Sequence, residues 1–380
     1  MDARHHVQPL YGVIYSFRGF PNDGALPYSG LAHVGGLLYG TTEIGGSENV
    51  GTVFAITTLG HPTWKASFKG AKHGANPQAG LTNVSGKFYG TSTGGTSTSG
   101  GSGASFGTVF TVTPGNVATL HRFKGGESGA TPTSDITYVT GTHMFYGTTR
   151  YGGTNGFGTV FEISPLGKEK VLYSFKGGSG DGANPVSGLF HLPGTSTLYG
   201  TTQYGGTDDK GTVYTITTSG TPVENLLYSF KGGDDDGEFP RAGLIYFNRT
   251  LYGTTENGGG PNDAGTVYEI STSGSVEHVI HRFSGSDGRY PVASLIQLGG
   301  MLYGTTASGG THGVGTVFAI SPSPSGQERV LYSFGSRPHD GAGPQRRLVN
   351  VDGVLYGTTT HGGKGICPGN GCGTVFSIAP

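Results

Sequence analysis

The chain has 380 residues, 75 of them glycine, with 12% charged residues and a formal net charge of −1. So few charges exclude a binder driven by attraction to nucleic acid or by a polybasic membrane patch. No run of 18 or more apolar residues occurs, which excludes a transmembrane helix.

Residues 1–10 read as an N-terminal tail without the apolar core of a signal peptide. Either an export signal has been removed or the protein is not exported by that route. From residue 11 to 380 one unit recurs, so a single repeat domain is expected although the length alone would allow two or three.

Each repeat opens on a segment of the Tyr-Ser-Phe type, at Tyr15, Ala66, His121, Tyr173, Tyr228, His281 and Tyr332. A loop follows, and then a Pro-x-x-Gly-Leu segment such as Pro27–Leu31 or Pro185–Leu189. Next comes Leu-Tyr-Gly-Thr-Thr, its tyrosine at Tyr39, Tyr89, Tyr146, Tyr199, Tyr252, Tyr303 and Tyr356, spaced 50 to 57 residues apart. A Gly-Gly turn leads to Gly-Thr-Val-aromatic, starting at Gly51, Gly107, Gly158, Gly211, Gly265, Gly315 and Gly373. These short pieces, rich in Val, Ile, Tyr, Phe and Thr and bounded by Gly and Pro, read as strands.

Four antiparallel strands per unit and seven units predict an all-β, seven-bladed β-propeller. The Pro-x-x-Gly-Leu strand is expected innermost and the Tyr-Ser-Phe strand outermost. The chain starts on an outer strand and stops after Gly373–Ile378. The N-terminal strand is therefore expected to complete the last blade and close the ring.

The Leu-Tyr-Gly-Thr-Thr, glycine turn and Gly-Thr-Val-aromatic series resembles the GloVer-type β-propeller repeat over nearly the whole chain. That resemblance implies a mostly bacterial family, often exported or at the cell surface, with no general activity assigned. It carries over no catalytic residues.

Gly-x-Ser-x-Gly, His-Glu-x-x-His, Cys-x-x-Cys and P-loop motifs are all absent, and no cofactor or metal is expected. Asp-Gly at Asp23, Asp181, Asp236, Asp287 and Asp340 is either a calcium loop or turn chemistry, and its repetition favours the turn. A basic residue follows the outer Phe at Arg18, Lys69, Lys124, Lys176 and Lys231, and reads as a solvated rim pairing with nearby aspartates, a ring that attracts an anionic polymer being the alternative. His121-Arg122 and His281-Arg282, on outer strands, read as surface. Cys367 and Cys372 flank one short loop and could form a disulfide, which would favour an oxidising compartment; two free thiols, or a metal reading with His361 that lacks a fourth ligand, are the alternatives. Asn83-Val84-Ser85 and Asn248-Arg249-Thr250 are sequons.

A single asymmetric site needs repeats that differ. The position after the inner proline and the two after Leu-Tyr-Gly-Thr-Thr vary most, and both sets are expected at one end of the ring, together with the long insertions Thr93–Phe106 and His361–Cys372. The expected ligand-binding face comprises Tyr28, Gln78, Asp135, Tyr151, Tyr204, Arg241, Glu256, Arg346, Arg347 and His361. Tyrosine rings, arginines and carboxylates suit a hydroxyl-rich ligand such as a glycan, or a protein partner. An exported or surface binding module is thus the leading expectation. The alternatives are a carbohydrate-active enzyme, a lyase or glycoside hydrolase, at the channel mouth, and a self-assembling surface or fibre subunit.

Overall fold

The computed structural model describes residues 10–70, 72–94, 106–274, 277–322, 326–368 and 370–380. Seven four-stranded antiparallel sheets form a β-propeller. In the first blade the order from the axis outward is Ala32–Val34, Leu37–Thr42, Thr52–Thr57 and Pro62–Ser67. The inner strands of the next five blades begin at Thr82, Thr137, Phe190, Ile245 and Ile296. The seventh blade combines Val349–Val351, Val354–Thr359 and Thr374–Ala379 with the N-terminal strand Leu10–Ser16 as its outer edge. Leu10 pairs with Ala379 and Ser16 with Thr374, so backbone hydrogen bonds lock the two ends of the ring.

The signature residues explain the packing. The glycine of Leu-Tyr-Gly-Thr-Thr is a slot for an aromatic ring: a Cβ on Gly40 would lie 2.6 Å from Cζ of Phe54 on the paired strand. The same clash would occur at all seven glycines, from Gly90 over Phe110 to Gly357 over Phe376. Onto each slotted ring the outer-strand Phe of the preceding blade packs edge-on. Phe68 meets Phe110, Phe175 meets Tyr214, and Phe17 closes the ring on Phe54, with centroids 4.9 to 5.1 Å apart. Such a pair contributes about 0.5–1.5 kcal/mol beyond its buried area. The apolar core is accordingly seven clusters, one at each blade interface.

The two threonines divide their work. The second, which is Ser92 in the second blade, bonds the threonine of the neighbouring strand in every blade, as Thr42 Oγ1 does with Thr52 Oγ1 at 2.8 Å. The first donates to a carbonyl of the next blade, as Thr41 Oγ1 does to Ala79 O at 3.0 Å. The glycine of Gly-Thr-Val adopts φ +108° at Gly51, and a Cβ there would lie 2.6 Å from Pro77 Cδ of the next blade.

Two expectations need correction. The inner ladder forms just after the Pro-x-x-Gly-Leu segment rather than within it. Pro27 has no N–H to give, and Ser29 Oγ accepts from Thr41 N at 2.7 Å and donates to Thr41 O at 3.0 Å, taking over the ladder's bonds. Small two-stranded ladders, such as Gly24–Ala25 with Ile44–Gly45, lie outside the four main strands and were not anticipated from the sequence. Among the described residues no helix is long and apolar enough to cross a membrane.

Gly40→Ala should lower stability by about 1–3 kcal/mol through overpacking against Phe54. Denaturant unfolding of this variant, of Phe54→Leu and of the double variant should show the double costing less than the sum.

Candidate functional site

The inner segments enclose a cavity of about 290 Å³ on the axis of the ring. The third position after each inner proline is glycine in four blades, Gly30, Gly80, Gly188 and Gly243, of which Gly30, Gly188 and Gly243 line the cavity. The other three blades put side chains there, Asp135, Ser294 and Arg347. Neighbouring glycines make room for them. A Cβ on Gly80 would stand 3.1 Å from the Asp135 carboxylate, and one on Gly243 would stand 3.2 Å from Ser294 Oγ.

Arg346 departs further from the repeat. Its counterparts are Ser29, Ala79, Ser134, Ser187, Ala242 and Ala293, all buried. The carbonyl at each of those six positions receives the threonine clasp of the preceding blade, at 2.9 to 3.3 Å. Only the seventh clasp, from Thr305 to Arg346, is missing, and Thr305 Oγ1 is left buried without a hydrogen-bond partner. Arg346 lines the cavity with Asp135, Arg241 and Arg347. Its Nε is buried and unpaired, and neither Arg346 nor Arg347 joins an ion pair among the described residues. Enclosure pushes the Arg346 guanidinium below its ordinary value; Asp135 opposes this and Arg241 adds to it. A guanidinium stays charged regardless, so the shift measures a cation whose lost hydration is not fully replaced.

The predicted residues divide into two groups. Tyr28, Asp135, Arg241, Arg346 and Arg347 come together around the axis. The Tyr28 hydroxyl is held above its ordinary value by burial and by Glu43, against the nearby Arg346 and Arg241. Gln78 Nε2 donates to Glu43 Oε1 at 2.8 Å, and Arg241 pairs with Glu256 at 3.0 Å, so both variable sets do share one end of the ring. Asp135 Oδ1 accepts from Gly80 N at 2.5 Å. By contrast, Tyr151, Tyr204 and His361 do not line the cavity. They pair with Ala130, Ala183 and Ala342 in the outlying bridges, and their side chains meet Arg150, Phe239 and Thr360. Glu43 and Gln345, absent from the predicted face, belong beside Tyr28. The variation of Glu43 among the repeats was the signal for it. Residues 95–105 of the first long insertion lie outside the described residues. Cys367 and Cys372 are bonded to each other, with Cα atoms 5.1 Å apart.

The Asp-Gly loops are structural. Asp181 accepts from Tyr173 Oη and Lys176 N through Oδ2 and from Gly182 N through Oδ1, at 2.6 to 2.8 Å. Asp23, Asp236 and Asp340 repeat the pattern. Arg18, Lys176 and Lys231 thus meet aspartates through their backbone N–H groups, and no side chain of the five rim residues is in the four ion pairs among the described residues. A glutamate from the next outer strand leans on two of these clamps, those of Asp181 and Asp236. Burial, then the Asp181 charge, pushes Glu224 up to about 7; burial, then Asp236, pushes Glu277 up to about 8. His281 also needs correcting: it faces inward between blades, bonding Asp287 at 3.0 Å.

The site and fold define a seven-bladed propeller of tandem repeats with a polar axial cavity. The chain belongs to the Gloeobacter/Verrucomicrobia repeat family, whose model matches residues 95–263 and 197–380. No curated protein matches it. Among solved structures it is similar to an ancestral GH74 enzyme, with TM-score 0.59 and 11% identity, over 96% of this chain and 48% of that one. It is also similar to a hypothetical selenium-binding protein from Sulfolobus tokodaii, with TM-score 0.53 and 10% identity over 77% and 74% of the two chains. A Mycobacterium tuberculosis puromycin-hydrolyzing peptidase gives TM-score 0.52 and 10% identity over 91% and 52%. At such identity these likenesses establish the fold alone.

Glu224 and Glu277 carry a pH prediction. The folded chain keeps both protons between about 4.5 and about 7 to 8, whereas the unfolded chain has lost them. Their contribution to stability is therefore whole below about 4.5 and is lost as pH rises through the folded values. Melting temperature should fall across that window, and Glu224→Gln with Glu277→Gln should flatten the fall.

Proposed function

We propose that this propeller is a binding module, working outside the reducing cytoplasm, that seats a hydroxyl-rich ligand bearing an anionic group; an acidic glycan is the simplest such molecule. The observation that carries this reading is Arg346. Six blades hold Ser or Ala at its position, and the arginine there coincides with a lost inter-blade hydrogen bond and an unpaired, enclosed guanidinium. A scaffold does not need that residue, whereas a carboxylate or sulfate would satisfy it.

Arg347 adds a second cation without an ion-pair partner on the same cavity, whose lining carboxylate is Asp135; Arg241, also on the wall, is paired with Glu256. A guanidinium fork matches a carboxylate in two parallel hydrogen bonds, and the enclosed site weakens competition from water. Ser294 on the wall and Tyr28 beside Arg346 supply hydroxyl and ring surface of the kind that sugars use. Glu43 and Glu256 are already engaged by Gln78 and Arg241, which favours holding a ligand over cleaving one. The Cys367–Cys372 bond supports an oxidising location.

Calorimetric titration with polygalacturonate, and with neutral dextran as comparison, tests the reading. Binding of the acidic polymer alone is expected, and it should weaken with added salt. Arg346→Ser should reduce affinity by about tenfold, roughly 1.4 kcal/mol, yet stabilise the fold by about 0.5–1.5 kcal/mol as Thr305 regains its acceptor. Unchanged affinity with lowered stability would sink the proposal. Release of new reducing ends or of unsaturated-uronate absorbance would turn it into the enzyme reading.

A further inference from the structure

Far from the axial cavity, one inter-blade clamp differs in kind from the others. In four blades the outer strand offers a tyrosine hydroxyl to the loop aspartate, at Tyr15, Tyr173, Tyr228 and Tyr332. In the fifth blade His281 stands in that place and directs Nε2 at Asp287 Oδ2, 3.0 Å away. The loop is also two residues shorter there, running from Phe283 to Asp287 where the third blade runs from Phe175 to Asp181.

The shorter loop changes what Asp287 does. In the tyrosine blades one carboxylate oxygen takes both the hydroxyl and a backbone N–H, as Asp181 Oδ2 does. At Asp287 the backbone N–H and the hydroxyl of Ser284 both go to Oδ1, at 2.8 and 2.9 Å. That leaves Oδ2 to His281 alone. Ser284 thereby fixes the carboxylate in the manner of an outer-shell partner to a ligand. From the sixth blade, Glu328 brings a third donor. The ligand atoms of His281, Asp287 and Glu328 all lie within 4.8 Å of one another, and Glu328 Oε1 is buried with no hydrogen-bond partner.

We propose that His281, Asp287 and Glu328 form a divalent transition-metal site, of the kind that takes Zn²⁺, joining the outer edges of the fifth and sixth blades. One imidazole nitrogen and two carboxylate oxygens are suitable donors, and three protein ligands leave a fourth position for water or a ligand. The side chains of His281 and Asp287 are 17% and 20% exposed, so an ion can reach them. The ion takes the place of the proton that His281 and Asp287 share, and supplies the partner that Glu328 Oε1 lacks. The site is independent of the axial cavity, because none of its residues lines that cavity.

Titration of the chelator-treated full chain with Zn²⁺, by calorimetry and by thermal shift, tests this. The wild type should bind one equivalent more than His281→Tyr, a variant that restores the residue of four other blades and should therefore fold. Glu328→Gln should weaken this equivalent at least tenfold, and Glu277→Gln, at a neighbouring tyrosine clamp, should leave it intact. Zn²⁺ should raise the melting temperature of the wild type and of Glu277→Gln but not of His281→Tyr. Any weak binding at His5 and His6 is common to all variants and cancels in the comparison. Equal stoichiometry and affinity in the wild type and His281→Tyr, or no thermal shift in the wild type, would overturn the proposal.

Discussion

An aromatic ring laid over a glycine on the adjacent strand is the contact on which the molecule depends. Phe54 over Gly40, with its six equivalents, brings one sheet close enough to the next for the outer-strand phenylalanine to meet the ring edge-on. Neither face of a blade is polar enough to stand in water, so each must be covered by a neighbour. The first blade is covered by the seventh, and only because the N-terminal strand completes the seventh and delivers Phe17 to Phe54.

Seven copies of one solution also make departures legible. The threonine clasp between blades forms six times, and the exception is where Arg346 replaces a small residue. Tyrosine meets aspartate in four outer clamps, and the fifth blade substitutes histidine and shortens the loop. Two slotted rings are tyrosine, Tyr214 and Tyr268, whose buried hydroxyls lack partners where five blades hold phenylalanine. Each of the first two departures gathers chemistry at its own place, the arginines of the axial cavity and a cluster of donors at the outer edge. The tyrosines gather none, and nothing in their surroundings explains them.

Fold and site differ in how far they can be read ahead. Blade number and strand order follow from the spacing of Leu-Tyr-Gly-Thr-Thr and Gly-Thr-Val, and the pairing of Leu10–Ser16 with Thr374–Ala379 bears out the expected ring closure. The inner ladder starts a few residues later than the Pro-x-x-Gly-Leu spacing suggests; at Ser29 a side-chain hydroxyl makes the bonds to Thr41 that a ladder would, and no period in the sequence records that. Repeat comparison found Asp135, Arg241, Arg346 and Arg347, which do share the cavity. It also gathered Tyr151, Tyr204 and His361, which lie in outlying ladders. Variation marks freedom from the scaffold's demands, and a side chain can be free without facing the axis.

The sequence alone therefore determined the architecture, because each repeat's glycine slot, paired threonines and outer phenylalanine are local requirements met at fixed offsets along the chain. Only the tertiary structure decided which odd residues meet. Arg241 reaches Arg346 across more than a hundred residues of chain, and His281 reaches Glu328 from the next blade. Such meetings depend on how far each blade is turned about the axis and on which way a side chain leaves its strand, and residue order alone does not encode either in readable form.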